Sequence, residues 1–262
     1  MVSSVKATTF MKPLRHGRTC PCLMVCEGSD GEQIETVVKL YSGKESTREG
    51  LVCEMMASLL AGDLYLTVPE PFIVEIESDF HTGIPDIELA ERFRNSPGAN
   101  YGSRYLGAGY ITWPQERSIP GSLMQDATDI FAFDMIIQNP DRRRDKPNLL
   151  RKGDELAIFD HEMAFSFLYA LVPDEYPWEG RGMGFAKDHV FYDGLKGHSV
   201  SMERIQGALE VIDDHRFGTY VDAIPGEWRS DSGGASERIR EYLKQARDNS
   251  KKLFKKIREV LL

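Results

Sequence analysis

The chain is poor in the features that mark several large protein classes. No apolar run approaches the 18 to 20 residues, roughly, that a membrane-spanning helix needs, and the N-terminal MVSSVKATTFMKPLRHG lacks the continuous apolar centre of a secretory signal. A cytoplasmic protein without a membrane span is expected. There is no excess of positive charge: the net charge is -9, which argues against direct nucleic-acid binding. Internal repeats and low-complexity tracts are absent. Cysteine is scarce, with Cys20, Cys22, Cys26 and Cys53 the only four. Three fall close together, yet no second Cys/His pair stands at a matching distance for zinc, so reduced structural thiols are expected.

What remains is an ordinary globular composition of 262 residues, 41% hydrophobic and 28% charged, long enough for one large domain or two lobes around a cleft. CLMVCEGSDGEQIETVVKLY reads as a hairpin turning near Ser29-Asp30-Gly31. Thr47 to Gly62 has helical periodicity through Leu51, Met55, Met56, Leu59 and Leu60. VPEPFIVEIE gives a strand, IELAERFRNS a short helix, SPGANYGS a loop, and RYLGAGYITW a further strand-like stretch. PQERSIPGS has the composition of a linker, which places a boundary near Pro114 to Gly121. Ala127 to Asn139 reads as a helix and LAIFDHEMAFSF as a strand-like run broken by ionisable residues. Beyond Ser166 the chain turns mostly helical, with amphipathic segments at Ser201 to Asp214 and Ala235 to Leu262.

Three polar features sit where burial makes them costly. Lys39 interrupts the apolar VVKLY strand and needs an acidic partner; Glu54, Glu49 and Glu45 compete for that place, and a helical wheel centred on Leu51, Met55 and Leu59 sets Glu54 on the polar side. Asp141 opens a loop after a helix in NPDRRRDKPNLL, with Asn148 seven residues on. Asp160 lies in IFDHE, where a divalent cation is one of the few partners that suits a carboxylate in an apolar run. His161 and Glu162 read as satisfied polar groups beside the cleft. Arg142 reads as a brace pairing with a buried acid, and Arg143 and Arg144 as solvated groups or an attraction for an anionic substrate.

The order strand lysine, helix glutamate, Asp with Asn close behind, then a further Asp is the layout of protein kinases and phosphatidylinositol kinases, which meet three needs of phosphoryl transfer: a cation on the phosphates, metal-binding oxygens and a group for the acceptor. HRD and DFG are both missing, so a plain protein kinase is excluded. VVKLY, VCEMMASLLAG followed by VPEP, NPDRRRDKPNLL and IFDHE together make the chain resemble the HipA-like kinases, from about Gly17 to the C-terminal helices.

That resemblance implies an α+β, two-lobed kinase fold, with residues 1–117 as a small sheet-containing lobe and 118–262 as a helical lobe carrying the catalytic loop. It implies ATP and Mg2+ as cofactors, Lys39 on the nucleotide phosphates with Glu54 orienting it, and Gly17, Arg18 and Thr19 covering the phosphates through backbone amides. Asp141 would be the catalytic base, and Asn148 and Asp160 the metal ligands. The implied reaction is transfer of the γ-phosphoryl group to a Ser or Thr of a protein substrate, in a family whose members act as growth-arresting toxins restrained by an antitoxin-like partner. The alternatives are a lipid or small-molecule kinase and a catalytically weak nucleotide-binding regulator. The second draws on a departure: related kinases carry Asn five residues after the loop aspartate, and here that residue is Lys146.

Overall fold

The first strand, β1 (Ser3–Pro13), buries only Val5 and Ala7, alternate positions that point to one face of the sheet. It pairs antiparallel with β2 (Cys22–Glu27), and β2 turns through Gly31, at a φ of +83°, into β3 (Gln33–Lys39). The expected hairpin is therefore present; β1 ahead of it was not legible, because so little of it is apolar and buried. The computed structural model describes residues 2–14, 19–42, 47–114, 118–169, 176–179 and 183–262.

Helix α1 (Arg48–Asp63) follows, its first turn closed by the Thr47 hydroxyl, which accepts from the Gly50 N–H at 3.0 Å. Then come β4 (Pro71–Ile76), α2 (Ile87–Arg94) and β5 (Gly98–Arg104). The strands run in the order β1-β2-β3-β5-β4, and a parallel pairing of β1 with β4 closes them into a barrel.

Barrel closure explains why β5 does not read as a strand. Its sequence, GANYGSR, has the small and turn-prone residues of a loop, and SPGANYGS was expected to be one. A Cβ on Gly102 would lie 2.4 Å from Val74 Cγ2 and 2.7 Å from Thr36 Cγ2, so the strand between β3 and β4 has room only for glycine there. Packing, not propensity, selects this strand.

A three-stranded sheet follows, β6 (Ile111–Thr112), β7 (Leu149–Lys152) and β8 (Glu155–Ile158), with α3 (Met124–Ile136) inserted between β6 and β7. Only the last part of RYLGAGYITW enters this sheet. The strand-like run LAIFDHEMAFSF likewise ends early, and Asp160 lies beyond β8 at a φ of +61°. The remaining helices are α4 (Tyr192–Leu195), α5 (Glu203–Glu210), α6 (Asp214–Asp222), α7 (Gly226–Asp231), α8 (Ala235–Asp248) and α9 (Ser250–Leu261). The expected helix from Ala235 to Leu262 is thus two, which meet at Asn249, whose backbone at φ −105°, ψ 19° leaves the helical region.

Two apolar clusters hold this arrangement. Val5, Cys22, Met24, Val38, Phe72 and Phe93 belong to the one within and beside the barrel. The larger one joins α1 to α3 and the C-terminal helices through residues such as Met55, Phe131, Trp228 and Leu243. Cys22, Cys26 and Cys53 are buried and unbridged, and burial lifts their thiols to about 12, 11 and 12, as expected of structural thiols. No helix among the described residues is long and apolar enough to cross a membrane.

Candidate active site

β3 ends on Lys39, which is almost wholly buried. Its ammonium donates to Asp160 Oδ1 at 2.6 Å, Glu54 Oε2 at 2.7 Å and Glu162 Oε2 at 3.3 Å. Burial alone would drive the proton off, but attraction from the three carboxylates reverses the sign, and the Lys39 pKa stands well above its ordinary value. Glu54 also accepts the His161 backbone N–H at 2.8 Å. The helical wheel misplaced Glu54 because it assumed a solvent face; in α1 everything from Gly50 to Ser58 is buried. Glu45, one of its competitors, lies outside the described residues.

Of the two groups read as satisfied, Glu162 is, through Lys39, and the His161 ring is not. Glu162 is a third partner of Lys39, and burial among Asp160 and Glu54 raises its pKa to about 6 against the pull of Lys39. The His161 ring is fully buried, with no hydrogen bond to either nitrogen among the described residues. It meets Phe133 edge-on, and its Nδ1 lies 3.6 Å from Glu54 Oε1, so Glu54 is faced by both the ring and the backbone N–H of His161.

The loop after α3 is held from beneath by Arg142, which is completely buried. Its Nε and Nη2 reach Asp134 Oδ2 and Oδ1 at 2.5 and 3.2 Å. Nη1 donates to the carbonyls of Asn148 and of Phe159. One guanidinium thereby ties the start of the loop, its end and the residue preceding Asp160. Asp134 also accepts from Asn139 Nδ2 at 2.9 Å, while Asn139 Oδ1 accepts the Asp141 N–H at 3.1 Å. Burial pushes the Asp134 carboxyl up, and Arg142 with His189 more than offsets this, bringing it to about 2.

His189 completes this base and titrates in a testable way. Its Nδ1 accepts the Phe191 N–H at 3.1 Å and its Nε2 donates to Asp134 Oδ2 at 2.9 Å, which fixes the neutral tautomer. Burial lowers its pKa below the ordinary 6.5, against the attraction of Asp134. The unfolded chain takes up this proton near pH 6.5 and the folded chain does not, so stability falls as pH drops through 6.5. His189→Gln should make the urea midpoint decline less between about pH 7.5 and 5.5 than in the natural protein; an equal decline would remove His189 as the cause.

Asp141 faces Lys146, whose Nζ lies 2.6 Å from Asp141 Oδ2 and 3.1 Å from Asp160 Oδ2. Asn148 donates through Nδ2 to the same Asp141 oxygen at 3.2 Å, so a metal ion would take its Oδ1. Burial pushes the Asp160 carboxyl up, but Lys39 and Lys146 hold it well below the usual carboxylate range. Asn148 and Asp160 both adopt positive φ, +45° and +61°, strained backbone at two residues of the site. Facing oxygens of Glu54, Asp160 and Glu162 lie within 4.8 Å of one another. Those oxygens surround the Lys39 ammonium, while Asp160 Oδ2 and Asn148 Oδ1 are the oxygen donors, suited to magnesium, that Lys39 leaves.

Lys39, Glu54 and Asp160 also line a cavity of about 360 Å³ with apolar walls from Leu14, Val37 and Leu150. Of the strand-like stretches FIVEI and RYLGAGYIT, either of which could hold the adenine, the second borders the cavity through Arg104 to Gly107 and the first does not. Thr19 lines it as well, with its carbonyl accepting from Arg92 at 2.7 Å; Gly17 and Arg18 lie outside the described residues.

This arrangement is found on a kinase fold. The Helicobacter pylori proinflammatory kinase CtkA superposes with a TM-score of 0.55 at 12% identity, over 99% of both chains. The FAT and kinase domain of CtTel1 gives 0.37 at 13% identity, over 96% of this chain and 22% of that one. No curated protein matches. The sequence profile of the HipA-like kinases matches residues 7–256, and the chain belongs to that family. Membership makes it a phosphotransferase of kinase type, for which ATP is the implied donor.

Proposed function

We propose that this protein transfers the γ-phosphoryl group of ATP to a Ser or Thr hydroxyl of another protein, with residues 1–117 and 118–262 acting as two lobes around the cavity. The observation that carries the reading is the meeting of Lys39, Asp160 and Asp141, distant in sequence, in one hydrogen-bonded group linked through Lys146.

In this reading Lys39 exchanges part of its carboxylate contacts for nucleotide phosphate oxygens, and Glu54 keeps it in place. The acceptor hydroxyl attacks the γ-phosphorus while the bond to the bridging β-oxygen breaks, ADP leaves, and Asp141 takes the hydroxyl proton. Magnesium, when bound, supplies positive charge to the phosphate oxygens; Asp160 and Asn148 would hold it. The arrangement of Lys39, Lys146 and Asp160 before nucleotide arrives is preorganisation of the kind that lowers barriers for charged transition states. A growth-arresting role in the cytoplasm with an antitoxin-like partner accords with the family.

A second reading, a nucleotide-binding regulator of low turnover, draws support from Lys146 on the two carboxylates. γ-Labelled ATP incubated with the protein and candidate acceptors separates the readings. Label on Ser or Thr of a protein is expected, and Lys39→Met should abolish both nucleotide retention and labelling. Label on a lipid or small acceptor would replace the protein-kinase assignment. Tight nucleotide binding with no transfer would leave the regulator.

A further inference from the structure

Lys146 stands five residues beyond Asp141, the place where the catalytic loop of protein kinases carries a metal-binding asparagine. Its ammonium does not extend into solvent. It spans the gap between the carboxylates of Asp141 and Asp160, at 2.6 and 3.1 Å from their Oδ2 atoms, and is only partly exposed. With an amide at 146, its oxygen and those two carboxylate oxygens would face one gap with no ammonium in it, an oxygen set that suits a divalent ion, while Lys39 would still hold the other oxygen of Asp160.

Resting on the phosphoryl-transfer reading, we propose that the Lys146 ammonium takes the place of one divalent cation, so that the nucleotide complex of this protein holds a single metal ion where an amide at 146 would let it hold two.

Geometry and charge both support the substitution. An ammonium offers three N–H donors; two are engaged by Asp141 and Asp160, which leaves one for an oxygen of the transferred phosphoryl group. Asp160 still has its other oxygen on Lys39, so it remains tethered on both sides when nucleotide enters. A divalent ion placed between Asp141 and Asp160 would have to displace a cation already there, and the two like charges would repel at close range. Asn148, bound to Asp141 through its amide nitrogen, keeps Oδ1 for the one ion that Asp160 holds.

The test counts metal ions directly. The full chain, saturated with a non-hydrolysable ATP analogue, is titrated with Mn2+ and bound ions are read by electron paramagnetic resonance. One Mn2+ per bound nucleotide is expected for the natural protein and two for Lys146→Asn. Two ions in the natural protein, or one in a folded, nucleotide-binding Lys146→Asn, overturns the inference and leaves the kinase reading standing. Failure of the natural protein to bind the analogue at any Mn2+ concentration instead sinks the kinase reading and this inference with it. Lys146→Met, which removes the charge without supplying a ligand, should keep one ion and lose transfer by about 10²-fold; undiminished transfer in this variant would also overturn it.

Discussion

Replacing Asp141 by Asn should slow phosphoryl transfer about 10²- to 10⁴-fold, the range for loss of a positioned general base, and leave nucleotide affinity nearly unchanged. The separation follows from where the carboxylate sits. Asp141 contacts Lys146, Asn148 and, through its own N–H, Asn139, and it is not among the residues bordering the cavity that Lys39 and Asp160 line. Asparagine keeps the shape and the N–H bond to Asn139, and Lys146 stays on Asp160. What disappears is the ability to accept a proton. Single-turnover labelling, paired with calorimetric titration of a non-hydrolysable analogue, reads the two quantities independently. Full activity in Asp141→Asn would mean that the loop does not act on the acceptor. A parallel drop in nucleotide affinity would place Asp141 on the phosphates.

The parts of this site legible in the sequence were those that violate a local rule. A lysine inside VVKLY and an aspartate inside IFDHE are expensive without partners; the first pointed to a helix glutamate and the second to a divalent cation, and their direct contact at 2.6 Å was not legible. The hairpin, α1 and the FIVEI strand were legible because their apolar periodicity matches their burial. β5 was not, since the barrel selects GANYGSR for smallness at Gly102 and against the bulky residues that announce a strand. Glu54 was ambiguous for a related reason: a helix covered on all sides has no polar face against which to place a glutamate. The pairing of His189 with Asp134, fifty-five residues apart, and the bridge made by Lys146 exist only after folding. Lys146 was visible as a departure from the family pattern, but its position between two carboxylates was not.

The run Arg142-Arg143-Arg144 divides as expected, with Arg142 on the buried acid Asp134 and the other two at the surface. Arg143 pairs with exposed Asp145, and Arg144 reaches Asp193 with both side chains largely in water, so replacing either should change stability little. Arg142→Met should cost about 3 to 5 kcal/mol, the penalty for removing one partner of a buried ion pair. Methionine approximates the stem of arginine but leaves the Asp134 carboxylate facing Asn139 and His189 without its cation, and strips donors from the carbonyls of Asn148 and Phe159. Urea unfolding followed by fluorescence reads the loss. The double variant Arg142→Met, Asp134→Asn isolates the charge: with no anion left to strand, it should be more stable than Arg142→Met alone, giving a coupling of at least about 1 kcal/mol. Additive losses would mean that the carbonyl contacts, and not the ion pair, hold the loop. Even where the single variant remains folded, its transfer rate should fall, because the guanidinium connects the segment bearing Asp141 to the residue preceding Asp160. Without it, the spacing that lets one ammonium touch both carboxylates is no longer enforced from below.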